Sequence, residues 1–226
     1  MTAIKLPISF DGARLQEDLR QVSEGDWLRH YKKIHYEGDW SSVGLVAAEG
    51  SAADIRSVSG NFVPTEILKW CPCFQEVIAF FKCPLRRVRL LRLDAGAVIK
   101  PHVDREGVDF GIARLHIPVV TNDRVEFTSA GKKVTMGLGE CWFLDTSYSH
   151  SVRNLGGEAR IHLVLDCVVN DFVTDLLGAD LRRGRWLRII GHRLRYLRFR
   201  VIDMFRLIVH DRETLYRIVG PYLQRR

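Results

Sequence analysis

The sequence has no uninterrupted apolar run near the roughly 18 residues that a membrane-spanning helix needs. That excludes a helical span within its 226 residues. Its five cysteines (Cys71, Cys73, Cys83, Cys141, Cys167) are an odd number without zinc-ligand spacing. "WCPCF" is C-x-C around a proline, neither a redox C-x-x-C nor half of a zinc ribbon. Inert, reduced thiols are expected. The opening "MTAIKLPISFDGARL" lacks the basic stretch and apolar stretch of a secretory signal, so a cytoplasmic location is expected. Internal repeats, low-complexity segments and nucleic-acid-binding motifs are missing too, and no nucleic-acid partner is expected.

Lysine is absent from residues 181–226, yet that tail carries thirteen arginines against Asp203, Asp211 and Glu213. The whole chain has a net charge of +7, so the tail holds more positive charge than the total and the body is slightly acidic. The length suits one substantial domain with an appendage. Three parts are expected: residues 1–86, helices and strands packing on a barrel; 87–171, the barrel itself; and 172–226, a basic helical extension.

Residues 11–34 look helical and polar, with Leu15, Leu19 and Val22 at 3–4 spacing. "GDWSSVGLVAAEG" reads as a turn and a strand, and residues 65–82 as one or two helices broken at Pro72. From Arg87 the texture changes. About eight short β-like runs follow, from "RVRLLRL" to "ARIHLVLDCVV", separated by turn signals such as "DAG", "TND" and "GLG". "AGKK" and "LGGE" have the composition of hairpin turns. This spacing predicts a mainly β sandwich or barrel with flanking helices. Strands end near Val169, and helix follows, with Gly184 and Gly191 as candidate breaks.

The chemistry concentrates in "IKPHVDREGVDFGIARLHIP". Residues at i and i+2 of a strand share a face, so His102 and Asp104 converge. Imidazole nitrogen and carboxylate oxygen suit Fe(II), Mn(II), Co(II) or Zn(II). A third ligand must come from a strand distant in sequence, and His150 in "ECWFLDTSYSHSVRN" is the candidate. Two histidines and one carboxylate leave positions open on a metal, as in non-haem Fe(II) oxygenases. Arg114, with His116 two residues on, and Arg160 both introduce apolar strands, which turns them toward the barrel interior. A buried cation needs an anion, and a dicarboxylate cosubstrate supplies one. Trp142, Phe143 and Phe127 read as core.

The pieces "RLLRLDAGAVIKPHVD", "ARLHIPVV", "GLGECWFLDTSYSHSVRN" and "ARIHLVLD" resemble the aspartyl/asparaginyl β-hydroxylase family of Fe(II)/2-oxoglutarate-dependent dioxygenases. Weaker likeness extends upstream, covering roughly residues 11–171, and the bacterial branch acting on free amino acids is most alike. The resemblance implies a double-stranded β-helix, a cupin-like jelly roll. It implies Fe(II) held by His102, Asp104 and His150, and 2-oxoglutarate with its distal carboxylate on Arg160. Arg114 and His116 would contact the same cosubstrate, with O₂ as the second one. The reaction would hydroxylate an amino acid or aminoacyl-type small molecule and convert 2-oxoglutarate to succinate and CO₂. The animal enzymes that name the family lack the carboxylate ligand, so Asp104 places this chain beside the small-molecule branch. A serine that the family carries before the first histidine is replaced here by Leu91 or Arg92. Trp40 falls near the site mouth, where packing is its simpler role. Arg105 and Glu106 follow the H-x-D motif on a loop, either touching a charged substrate or solvated. Alternatives to the small-molecule reading are a peptide Asp/Asn substrate, a lipid-linked substrate, or a non-catalytic metal-binding barrel.

In the tail, Leu187, Ile190, Leu194, Leu197, Ile202 and Phe205 recur at 3–5 spacing, so a helical cap with this stripe on the barrel and a solvated basic face is expected. The alternative for residues 181–226 is an anionic membrane surface or an acidic partner, which would make the protein peripheral to a membrane.

Overall fold

A computed structural model describes residues 2–54, 59–178 and 185–210. Thirteen strands and four α-helices run in the order β1 (Ala3–Ser9), α1 (Gly12–Leu19), β2 (Leu28–Arg29), β3 (Tyr36–Glu37), β4 (Trp40–Ala48), β5 (Phe62–Pro64), α2 (Pro72–Phe80). Then come β6 (Leu85–Leu93), β7 (Val98–His102), β8 (Ile112–Val120), β9 (Val125–Ser129), β10 (Lys132–Val134), β11 (Glu140–Leu144), β12 (His150–Asn154), β13 (Arg160–Val168), α3 (Asp171–Leu177) and α4 (Arg185–His210).

The strands form two antiparallel sheets. The larger has the order β1-β11-β8-β13-β6-β4-β2, with β5 on β4; the smaller has β10-β9-β12-β7-β3. Apart from the consecutive pairs β9–β10 and β4–β5, most neighbours in each sheet are far apart in sequence, as a double-stranded β-helix requires. The eight strands β6–β13 match the expected count, and β13 ends at Val168, near the expected position. The N-terminal part does more than pack on this barrel: β1 pairs with β11 and β4 with β6, so it extends the larger sheet at both ends.

Strand alternation explains where the core and the site lie. In β13, Ile161, Leu163, Leu165 and Cys167 join a cluster with Phe74 and Val77 of α2 and Val173 of α3. Leu115 and Ile117 of β8 and Val88 and Leu90 of β6 join the same cluster. The intervening residues, including Arg87, Arg89, Arg114, His116 and Arg160, face the other sheet and line a cavity. β13 is thus buried on both faces, one apolar against helices and one polar inside the barrel. A smaller cluster of Trp40, Leu93, Ala97, Ile99, Phe127 and Val152 fills one end between the sheets.

Local chemistry sets the element ends. Asp11 caps α1 by accepting from the Ala13 and Arg14 amides. This helix is much shorter than residues 11–34; three-residue 3₁₀ turns and short strands take over after Leu19. Pro72 starts α2 at a position where a missing N–H costs nothing. "AGKK" makes the expected hairpin, with Ala130 at φ 48° and Gly131 at φ 78°. "LGGE" does not: β12 and β13 belong to different sheets, so this segment crosses the barrel. Gly191 lies within α4 without ending it, and Gly184 is outside the described residues. Among the described residues no helix is long and apolar enough to cross a membrane.

α4 reverses the expected orientation. Leu187, Ile190, Leu194, Leu197 and Phe205 are exposed, while Arg188, Arg195 and Arg206 reach the barrel. The reason is the polarity of the barrel rim. It offers the Asp109 carboxylate and unspent backbone carbonyls, which satisfy guanidinium groups and repel a leucine stripe.

Candidate metal centre

β7 ends at His102 and β12 begins at His150; the antiparallel register sets the two opposite each other, with ring centroids 4.2 Å apart. Asp104 follows just beyond β7. Its amide donates to the Thr146 carbonyl at 2.9 Å, tying the turn after β7 to the turn before β12. One donor atom from each of His102, Asp104 and His150 lies within 4.8 Å of the others.

Each ring has one nitrogen already used. His102 Nδ1 donates to the Lys100 carbonyl at 2.8 Å and His150 Nδ1 to the Tyr148 carbonyl at 3.0 Å. A carbonyl only accepts, so both Nδ1 atoms carry hydrogen and both Nε2 lone pairs point elsewhere. Burial lowers the pKa of both rings, assisted at His102 by the neighbouring His150, and favours this neutral form. Burial alone would raise the Asp104 carboxyl. Arg114 outweighs it and holds the group ionised, well below the usual carboxylate range. Two neutral nitrogens and one carboxylate oxygen fit a divalent first-row metal, Fe(II) included.

Behind the trio lies a buried charge network. Arg114 hydrogen-bonds Asp104 through one terminal nitrogen and donates to Asp166 from Nε at 2.6 Å. Asp166 is fully buried and also takes Arg87 at 2.8 Å and Arg89 at 3.2 Å. Burial works against its charge, but the arginines prevail and its pKa falls far below normal. Glu106 pairs with Arg86 and Arg87.

Arg160 differs. It is 2% exposed, and among the described residues no carboxylate pairs with it. One terminal nitrogen donates to His162 Nδ1 at 2.7 Å, while Arg160 Nε, His162 Nε2 and His116 Nδ1 are buried without partners. Burial pulls its pKa down to about 9. An isolated buried cation costs several kcal/mol unless an anion joins it. The donors around Arg160 are those that a carboxylate would satisfy.

All six residues singled out above line one cavity of about 690 Å³. Arg114, which needed an anion, finds it in Asp166 and Asp104, leaving Arg160 as the unpaired guanidinium. Trp40 lines the same cavity and stacks on His30 at 3.6 Å. Arg105 and Glu106 border it, Glu106 already engaged by arginines. Phe127 packs inside the barrel near His150, whereas Phe143 belongs to the helix-side core. Leu91, one of the two residues expected where the family carries a serine, faces the cavity.

Several site residues are not among those singled out from the sequence. Asp166 sits at i+6 from Arg160 on the same strand face and was readable from alternation. His35 and the α4 residues His192 and Tyr196 were not, because only tertiary packing brings them to the cavity mouth. α4 touches every ligand-bearing turn through a backbone carbonyl. Arg206 donates to Pro101 at 3.2 Å, His192 Nε2 to Asp104 at 2.8 Å, and Arg195 Nε to Ser147 at 2.8 Å. Arg195 also lies 3.9 Å over the Tyr148 ring. Asp203 completes the clasp on His35 at 2.8 Å.

Comparison with known proteins identifies relatives of the chain. The chain is 32% identical over 174 residues to L-proline cis-4-hydroxylase of Rhizobium meliloti (strain 1021), a match covering 75% of this chain. It spans 62% of that enzyme's length. A solved oxidoreductase of the 2OG-Fe(II) oxygenase family from Burkholderia pseudomallei shares the fold at 14% identity and a TM-score of 0.50. That match covers 74% of this chain and 85% of the other. The family model for aspartyl/asparaginyl beta-hydroxylase matches residues 10–169, which takes in strands β2 to β13 and the whole metal trio and stops short of α4. The chain belongs to the aspartyl/asparaginyl β-hydroxylase family.

Proposed function

We propose that the protein is an Fe(II)- and 2-oxoglutarate-dependent dioxygenase. It hydroxylates an amino acid or an aminoacyl-type small molecule, with 2-oxoglutarate decarboxylated to succinate and CO₂. The observation that carries this reading is one cavity holding both a His-Asp-His donor trio and a buried arginine without a carboxylate partner. The first suits the metal and the second suits the far end of a dicarboxylate.

In this reading His102, Asp104 and His150 hold the iron, which when bound supplies oxygen activation. The Lys100 and Tyr148 carbonyls fix the two imidazole tautomers. Arg114 keeps Asp104 ionised and aimed at the metal. Arg160 receives the distal carboxylate, and His116 borders the same pocket. Leu91, Ile99, Phe127 and Val152 supply apolar wall that keeps bulk water from the reacting centre. A cavity of about 690 Å³ is in the range of small-molecule sites. The name of the proline hydroxylase relative supports an amino acid as substrate.

Anaerobic addition of 2-oxoglutarate to the Fe(II)-loaded protein tests the reading. A visible metal-to-ligand charge-transfer band is expected, absent in His102→Ala and His150→Ala. Its absence from folded, iron-loaded wild type sinks the proposal. Succinate release then screens candidate amino acids.

A further inference from the structure

We propose that the outward face of α4 is a docking surface for an anionic lipid bilayer, on which the helix lies parallel to the membrane plane. α4 has 26 residues and is therefore roughly 39 Å long. Nine large hydrophobic side chains on it are exposed, among them Trp186 at 79%, Leu187 at 77%, Leu194, Leu197 and Phe205. At 3.6 residues per turn all nine fall within an arc of about 100°. The opposite side of the helix carries Ile189, His192, Arg195 and Asp203, which are buried or half-buried against the barrel. The helix is held by its polar side and leaves its apolar side to solvent.

Charge decides the occupant. The exposed arginines Arg193 and Arg200 fall along one border of the apolar arc, and Arg198 falls along the other. The sole acid of α4, Asp203, is turned inward to His35 and Arg206. A second copy of this helix would set apolar arc on apolar arc, but with arginine facing arginine and no carboxylate to relieve it. Residues 211–226 are net basic by sequence and add no net negative charge to offset these arginines. An anionic bilayer meets both halves of the pattern. Its acyl boundary takes the bulky apolar and aromatic side chains, and its headgroups take the flanking guanidinium groups. The absence of a spanning-grade helix among the described residues agrees with lying on the surface. Arg193 borders both the arc and the cavity, so the docked helix would bring the mouth close to the lipid headgroups.

The test is co-sedimentation of the full chain with vesicles. One set is equal parts phosphatidylglycerol and phosphatidylcholine; the other is phosphatidylcholine alone. Binding to the first set, weakened by salt and weak on the second, is expected. Leu194→Glu with Leu197→Glu should lower the affinity about tenfold or more, as should Arg198→Gln with Arg200→Gln to a smaller degree. Both double variants must keep the wild-type thermal transition, which separates lost docking from lost folding. The proposal is overturned if wild type ignores the anionic vesicles, or if a folded Leu194→Glu/Leu197→Glu variant binds them as wild type does. It also falls if the arc instead forms a concentration-dependent dimer that this variant abolishes, without vesicle binding.

Discussion

Asp166 accepts the Arg114 Nε–H at 2.6 Å from the floor of the barrel, and the same guanidinium holds Asp104 at the metal site. Asp166 therefore positions a ligand that it does not touch. Asp166→Asn leaves Arg87, Arg89 and Arg114 clustered in the interior without their shared anion. A loss of about 3–5 kcal/mol is expected, read as a lowered urea midpoint at pH 7. Unchanged stability would mean that the three cations are solvated.

Arg160 gives stability and affinity opposite signs. Arg160→Met removes a desolvated cation that has no carboxylate partner, so the metal-free protein should be at least as stable as wild type. The 2-oxoglutarate half-saturation, followed by the charge-transfer band, should rise about tenfold to a hundredfold, because a charge-assisted contact is lost. A variant that unfolds, or one that saturates like wild type, contradicts the role given to Arg160.

Arg195 supports the turn that carries His150, through the Ser147 carbonyl and the Tyr148 ring. Arg195→Ala should weaken Fe(II) binding about tenfold, within the roughly 10–100-fold range for groups that orient metal ligands. Equilibrium competition with a chelator measures it. Global stability should change little, since the side chain is at the rim.

Acid should destabilise the metal-free protein earlier than its carboxylates alone require. Burial, with help from Arg89 and Lys32, lowers the His30 pKa to about 3 from an ordinary value near 6.5. Below about pH 6.5 the unfolded chain takes a proton that folded His30 refuses, so stability falls as pH drops from 6.5 toward 3. His30→Phe, which keeps a ring against Trp40, should flatten that part of the pH–stability curve. A curve of unchanged slope removes His30 from the titration.

Much of the centre was legible because strand alternation is a strict rule. Arg114 with His116 follows a period of two on β8, and the larger sheet keeps that period across β6 and β13; Asp104 was found by the same spacing from His102, although it stands just past the end of β7, where the Thr146 carbonyl fixes it. The eight strands were legible from turn residues for the same reason. Three things were not. "LGGE" has hairpin composition, but its flanking strands pair with different sheets, and pairing depends on distant partners. Residues 11–34 look helical by spacing, yet after Leu19 short turns and strands replace the helix and bring His30 and His35 to the cavity. The orientation of α4 was misjudged because an amphipathic pattern defines two faces without naming which one meets protein. Here the rim carbonyls and Asp109 chose the arginine side.

His102, Asp104 and His150 belong to the smaller sheet and its turns, while Arg160 and His116 stand on the larger one. A dicarboxylate held at both ends would therefore be a rivet between two plates. Without it, the Arg114–Asp104 ion pair and an apolar cluster at one end join the plates. Loading the site should stiffen the open end of the sandwich as a whole, slowing amide exchange in β7 and β12 alongside that in β8 and β13. Mechanical strength across the barrel then becomes a property of the loaded protein rather than of the polypeptide alone.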